Sequence, residues 1–162
     1  MNKQTIFNRI MSQLEANIQV AQQAVKIAKD TATHKDCLGS SKYETMGTEA
    51  SYLAKGQGER VLELQRAFAY FKPLAYVQSQ AESTRIIQLT SLVVLEDEDG
   101  KQQHFLLAAY AGGLKINFDK QHVTVITPQA PLGRALMGKE VGDVVEIKAT
   151  NKTTEYEVVN VL

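Results

Sequence analysis

Few residues of this chain are of a type and spacing that could do chemistry, and most of them lie between positions 34 and 44. The single cysteine, Cys37, has His34 three residues before it. A thiol nucleophile needs a base within hydrogen-bond reach and a further group to orient that base, and nothing near this pair supplies the third member. One cysteine also excludes an intramolecular disulfide and a thiolate-rich zinc site. Asp36 reads locally as a loop aspartate, and Glu44 follows Ser41 at capping-box distance. His104 and His122 fall on separate predicted strands without ligand-like spacing, which predicts strand histidines and no metal. Ser91 and Thr124 belong to no nucleophile elbow, and the scattered glycines form no phosphate loop.

The segments on either side of this cluster must position it. From Phe7 the apolar and small residues recur at Met11, Leu14, Ile18, Ala21, Val25, Ala28 and Ala32, in alternating steps of four and three. No proline or glycine interrupts the stretch from Asn2 to Lys35, so the spacing predicts a helix of roughly 45 Å with a heptad seam. Residues 33 to 41 mix charge, glycine and hydroxyls as a loop does. A second seam then runs through Tyr43, Met46, Ala50, Leu53, Gln57, Val61, Leu64, Phe68 and Phe71. Its two successive steps of four at Leu53, Gln57 and Val61 predict a stutter, and Gly56 and Gly58 predict a weakening or bend there. Lys72-Pro73 predicts the helix end. Two long helices with one short turn between them should fold back as an antiparallel hairpin, because each exposes an apolar stripe the other can cover. The alternative is a dimeric coiled coil between chains, and the near-equal seam lengths on both sides of one loop favour the intramolecular hairpin.

Residues 76 to 84 read as a linker, and strands follow. They are expected over Ile86 to Leu95, Phe105 to Tyr110, Leu114 to Phe118, Val123 to Thr127, Val144 to Ile147 and Glu155 to Val161, with Asp99-Gly100 as a hairpin turn. Between the fourth and fifth lies TPQAPLGRALMGKEVGDVVEI, Thr127 to Ile147. Pro128 and Pro131 end the strand, because a ring nitrogen donates nothing to a ladder. Pro131 suits the first position of a short helix, Leu132 to Met137, and Gly138 suits the left-handed position that stops it. Gly142 and Asp143 make a further turn. Arg134 on the short helix is either a solvated residue or part of a partner surface. The predicted fold class is α+β: an N-terminal antiparallel α-helical coiled-coil hairpin, residues 1–75, then an antiparallel β domain with one short helix, residues 76–162.

In 162 residues, 44% are hydrophobic, which suffices for one ordinary domain or two small ones. Lysine plus arginine equals aspartate plus glutamate at 18 each, which argues against independent nucleic-acid binding by phosphate neutralisation. Residues 1–75 carry 10 basic and 7 acidic groups and residues 76–162 carry 8 and 11, an asymmetry too small for a DNA-binding arm, so a protein partner is expected. No apolar run approaches the roughly 20 residues that span a bilayer, and the N-terminus has no signal core, so no membrane and a cytoplasmic setting are expected.

The order Pro131, Leu132, Gly133, Arg134, Ala135, Leu136, then Gly138, Lys139, then Val141, Gly142, Asp143 resembles the signature of the C-terminal domain of the bacterial transcript cleavage factors, the GreA/GreB family. The resemblance implies an FKBP-like C-terminal fold and RNA polymerase as partner, with the chain acting as a monomer and accessory factor rather than an enzyme. It implies that Pro131, Leu132, Gly133 and Arg134 contact the polymerase and that the hairpin reaches the secondary channel. It also implies no cofactor beyond a Mg²⁺ shared with the polymerase active site, oriented by acidic residues at the hairpin tip. Asp36 matches the first acidic residue of the family's tip and Tyr43 its tyrosine; Glu44 is the nearest other carboxylate. Gly39 and Lys42 stand where the family has glutamates. The incomplete acidic pair predicts weak or absent stimulation of transcript cleavage. Two alternatives stay open: a non-cleaving secondary-channel regulator of the Rnk or DksA type, and a prolyl isomerase using an FKBP-like domain.

Overall fold

A computed structural model of the chain describes residues 2–33, 41–76, 85–118, 121–149 and 152–162. They divide into two compact units, Met11–Lys72 and Met1–Ile10 with Pro73–Leu162. Helix α1 runs from Lys3 to Thr33 and α2 from Ser41 to Tyr76.

Within the helical unit, the expected seam of α1 is observed: Leu14, Ala21 and Ala28 are buried, and Met11, Ile18, Val25 and Ala32 are half-buried between them. The seam of α2 differs from expectation over its first half. Gly47, Ala50, Ala54, Gln57, Val61, Leu64, Phe68 and Phe71 face inward, whereas Met46 and Leu53 are exposed, Leu53 by 56%. These inward positions alternate steps of three and four without a stutter, and α2 is continuous through Gly56 and Gly58. The reason is size. Ala21, Ala28 and Ala32 of α1 suit a closely approaching helix, which small inward residues of α2 such as Gly47, Ala50 and Ala54 allow, and the bulkier Met46 and Leu53 lie outward. Val25, Lys29 and Ala32 of α1 line one cleft with Ser51, Ala54, Lys55 and Gly58 of α2, which places the two helices side by side in this unit. Pro73 lies inside α2 and does not end it. It lacks the N–H that would bond the carbonyl of Ala69, a cost of about 3 kcal/mol in a helix interior. Only one further turn follows, and burial of Ala75 offsets part of that cost.

The other unit is built on a six-stranded sheet: β1 Leu92–Asp97, β2 Gln102–Leu107, β3 Lys115–Phe118, β4 Gln121–Ile126, β5 Val144–Ala149 and β6 Lys152–Val161. Helix α3, Pro131–Leu136, lies between β4 and β5 in sequence. The spatial order is β3-β4-β2-β1-β6-β5. β1 begins later than expected, since Ile86 makes only an isolated bridge to Glu140 and Thr90 takes a left-handed φ of 74°. All pairings are antiparallel except β2 with β4, which is parallel. This departs from the expected antiparallel sheet. After Leu107 the chain turns through Ala111 and Gly113, with φ of 62° and 86°, and passes over the neighbouring slot. The hydrogen bonds Ala108 N to Ile126 O at 2.9 Å and Gly113 N to Val125 O at 2.8 Å hold that excursion down. β3 thus becomes the edge, and β4 returns into the slot beside β2.

Strand alternation divides the side chains between two faces. On one face Val93, Leu95, Phe105, Leu107, Ile126, Val145, Val158 and Val161 form a core with Leu136 of α3 and Ile87, against which Leu132, Ala135 and Tyr156 pack. On the other, cross-strand neighbours Leu92, Leu106 and Val125 form one buried row, and Val94, His104, Val123 and Ile116 form a second. Ile6, Phe7 and Ile10 at the start of α1 belong to this same compact unit and are themselves buried. Lys3 Nζ donates to the main-chain oxygen of Leu162 at 3.0 Å, and Arg9 Nη1 donates to the main-chain oxygen of Asn117. The first ten residues are therefore part of the sheet's unit.

Candidate functional site

The segment Thr127 to Asp143 folds as a tight elbow. Ala130 N donates to Thr127 O at 3.0 Å, and Arg134 N to Ala130 O at 2.9 Å opens the helical ladder. Pro131 occupies the first helical turn, where a missing N–H costs nothing. Gly133 is buried against the strand exit: a Cβ built there would stand 2.1 Å from Thr127 O and 2.8 Å from Thr127 C. Only a residue without a side chain lets α3 press so close. Met137 N donates to Gly133 O at 3.2 Å, and Gly138, with φ of 76°, ends the helix as expected. Gly138 N then donates to Ile87 O and Ile87 N donates to Lys139 O, at 2.9 and 2.8 Å, so the helix end is tied to the segment before β1. The turn at Gly142, φ 92°, is closed by Asp143 Oδ2, which accepts from Glu140 N at 2.8 Å.

This geometry separates four adjacent residues by direction. Pro131 and Arg134 are exposed, the latter donating to Gln129 O at 3.4 Å, while Leu132 packs on the core and Gly133 is buried. Met137, Val141 and Val144 are exposed on the helix end, the following turn and β5, and β5 is an edge strand of the sheet. These three were not legible as surface residues, since their apolar type is what a core would also use. The exposed surface of the elbow combines Met137 and Val141 with one guanidinium, next to the β5 edge, a composition suited to a protein partner, while Val144 alternates with buried Val145 to the other sheet face.

Asp36 and Cys37 lie outside the described residues, as does the side chain of Glu44, whose backbone is in the first turn of α2. Among the described residues no three histidine, cysteine or acidic side chains are grouped to hold a metal ion. His104 is buried on β2, and its pKa is lowered by that burial and, second, by the positive amino terminus. His122 is exposed on β4, with Nδ1 2.6 Å from the side-chain oxygen of Asn117. The two do not form a ligand pair by register, because His104 stands opposite Val123 and His122 alternates to the other face. No helix among the described residues is long and apolar enough to cross a membrane.

A helical unit joined to a twisted sheet that carries one short proline-started helix defines the class of protein. Residues 82–162 match the family described as transcription elongation factor, GreA/GreB, C-term. The chain belongs to the GreA/GreB family. It is similar to a transcription elongation factor GreA of Clostridium perfringens, 29% identical over 127 residues that cover 78% of this chain and 72% of that one. It is also similar to the GreA of Thermodesulfovibrio yellowstonii, 25% identical over 158 residues that cover 96% and 91% of the two chains. Among solved structures, that of the transcription factor Gfh1 aligns with a TM-score of 0.41 and 24% identity, covering 96% of this chain and 92% of that one.

Proposed function

We propose that this chain is an elongation factor that acts on RNA polymerase through its secondary channel, in the cytoplasm and as a monomer. The observation that carries the reading is the family match over residues 82–162, which contains the whole elbow. In this reading Pro131 and Arg134, with the neighbouring β5 edge, touch the polymerase, while Leu132 and Gly133 hold them in place from beneath. The helical unit carries residues 34–42 toward the polymerase active site. The chain has no catalytic centre of its own and lends groups to the polymerase's.

The chemistry at the tip follows from charge. A Mg²⁺ takes oxygen ligands, usually one or two protein carboxylates beside groups already present. Asp36 supplies one; Glu44 is the nearest second, three residues inside α2. Gly39 offers no ligand, and the ammonium of Lys42 opposes a second cation. We therefore propose a factor that occupies the channel and stimulates cleavage weakly. Lys42 is also what favours the neighbouring reading, a regulator that occupies the channel without cleavage.

Retention by immobilised core polymerase tests the partner, and cleavage of a backtracked transcript tests the chemistry. The parent should bind and cleave slowly, and Gly39→Glu with Lys42→Glu should gain roughly a hundredfold if about 3 kcal/mol of metal stabilisation is restored. Absence of binding overturns the assignment. Strong cleavage by the parent that survives Asp36→Ala overturns the tip chemistry alone.

A further inference from the structure

Helix α3 covers only part of the sheet face it packs on. Beyond it, where β2, β4 and β3 lie side by side, the same face is open as a cleft of about 560 Å³, within the size range of small-molecule sites. The pairing register sets its floor. Phe105 on β2 stands opposite Thr124 on β4, and Thr124 opposite Lys115 on β3, so these three side chains cross the cleft in one row. Gln103 and His122 fall on the same face by alternation, and Lys101 stands at the mouth where β2 begins. The registered β2–β4 pairing starts only at His104 and Val123. The strand ends before those positions leave the cleft its depth.

The lining chemistry is one-sided. Lys101, just before β2, and Lys115 of β3 both line it, Thr124, three glutamines and two histidines supply further hydrogen-bonding atoms, and no carboxylate is among the lining residues that are described. Among the described residues, two acidic side chains of the adjoining strand are engaged elsewhere: Glu96 accepts from the Gln102 amide at 3.0 Å, and Asp97 Oδ1 caps the main-chain N–H groups of Asp99 and Lys101 at 3.2 and 2.9 Å. His122 Nδ1 faces the Asn117 side-chain oxygen, which leaves Nε2 for a ligand, as an acceptor from a P–OH in the neutral ring and as a donor to a phosphate oxygen in the imidazolium. Two cations and several donors around one pocket suit a compact dianion with several oxygens better than a single carboxylate. The ring of Phe105 and the remaining volume leave room for an organic group attached to it.

We propose that this cleft is a binding site for a small phosphate monoester, with Lys101 and Lys115 pairing the phosphate and Thr124 and His122 completing its hydrogen bonds. The site is separate from the α3 elbow and does not depend on polymerase binding.

The test is titration of the full ¹⁵N-labelled chain with inorganic phosphate and with adenosine monophosphate, at constant ionic strength and against sodium acetate. Phosphate should shift the amides of residues 101–105, 115 and 121–124, and the monoester should bind tighter than the free ion. Lys101→Gln with Lys115→Gln should weaken both by about tenfold or more while the thermal melt is unchanged. Equal binding of free phosphate and monoester locates the recognition in the phosphate alone and removes the organic subsite. Absence of shifts at millimolar ligand, or shifts that survive the double substitution, overturns the proposal. So does stronger, salt-sensitive binding of a single-stranded RNA oligomer through the same residues, which would make the cleft part of a nucleic-acid surface.

Discussion

A Cβ placed on Gly133 would stand 2.1 Å from the carbonyl oxygen of Thr127, well inside any tolerable contact. The obstruction is backbone on both sides, so it cannot be relieved by a rotamer change. Gly133→Ala should therefore push α3 off the strand exit and cost about 2 kcal/mol or more. The same change at Gly56 meets nothing within 4 Å, and in a helix it should stabilise by up to about 1 kcal/mol. Chemical denaturation of the two variants beside the parent checks the sign of each. An unaffected Gly133→Ala would mean that the elbow is not packed as described.

The α2 seam gives a second contrast. Ala54 is buried and its neighbour Leu53 is 56% exposed. Ala50 is buried in the same seam, away from the cleft that Ala54 lines. Ala50→Leu should cost about 1–3 kcal/mol by overpacking, whereas Leu53→Lys should stay within about 0.5 kcal/mol of the parent. Had the larger residue occupied the seam, the order would reverse.

His104 makes stability depend on pH. Burial first, then the positive amino terminus, lowers its pKa in the folded chain below its ordinary value. As pH falls, the unfolded chain takes up the proton near about 6.5, before the folded one does. This contribution is complete above that pH and declines on acidification, until the folded histidine also protonates. Denaturant midpoints between pH 8 and 5 should fall for the parent more than for His104→Asn. Identical slopes would assign the pH dependence to other groups.

The buried row Leu92, Leu106 and Val125 belongs to the same compact unit as Ile6 and Ile10 of α1. A fragment of residues 76–162 removes those helix residues and the 3.0 Å bond from Lys3 to Leu162. It should melt less cooperatively and at lower temperature than the full chain, because an apolar sheet face returns to water. A sharp melt at the full-length temperature would show that the sheet needs no cover.

What was legible in the sequence was whatever depends on local pattern. The α1 seam, the positions of the strands to within a few residues, the proline start of α3 and the glycine turns at Gly100, Gly138 and Gly142 follow from periodicity and from backbone geometry that few residues can adopt. The family signature was legible for the same reason, since its prolines and glycines answer to a single tight elbow. Tertiary structure decided the matters of choice between chemically similar residues. It put Gly47 and Ala54 in the seam, where small residues suit close approach to the alanines of α1, and left Met46 and Leu53 outside. It carried α2 through Pro73, made β4 parallel to β2, and turned Pro131 and Arg134 outward while burying Gly133. It also gathered Lys101, Lys115 and His122, which no spacing rule along the chain groups, around one cleft. Register across strands, not spacing along one of them, brings such groups together.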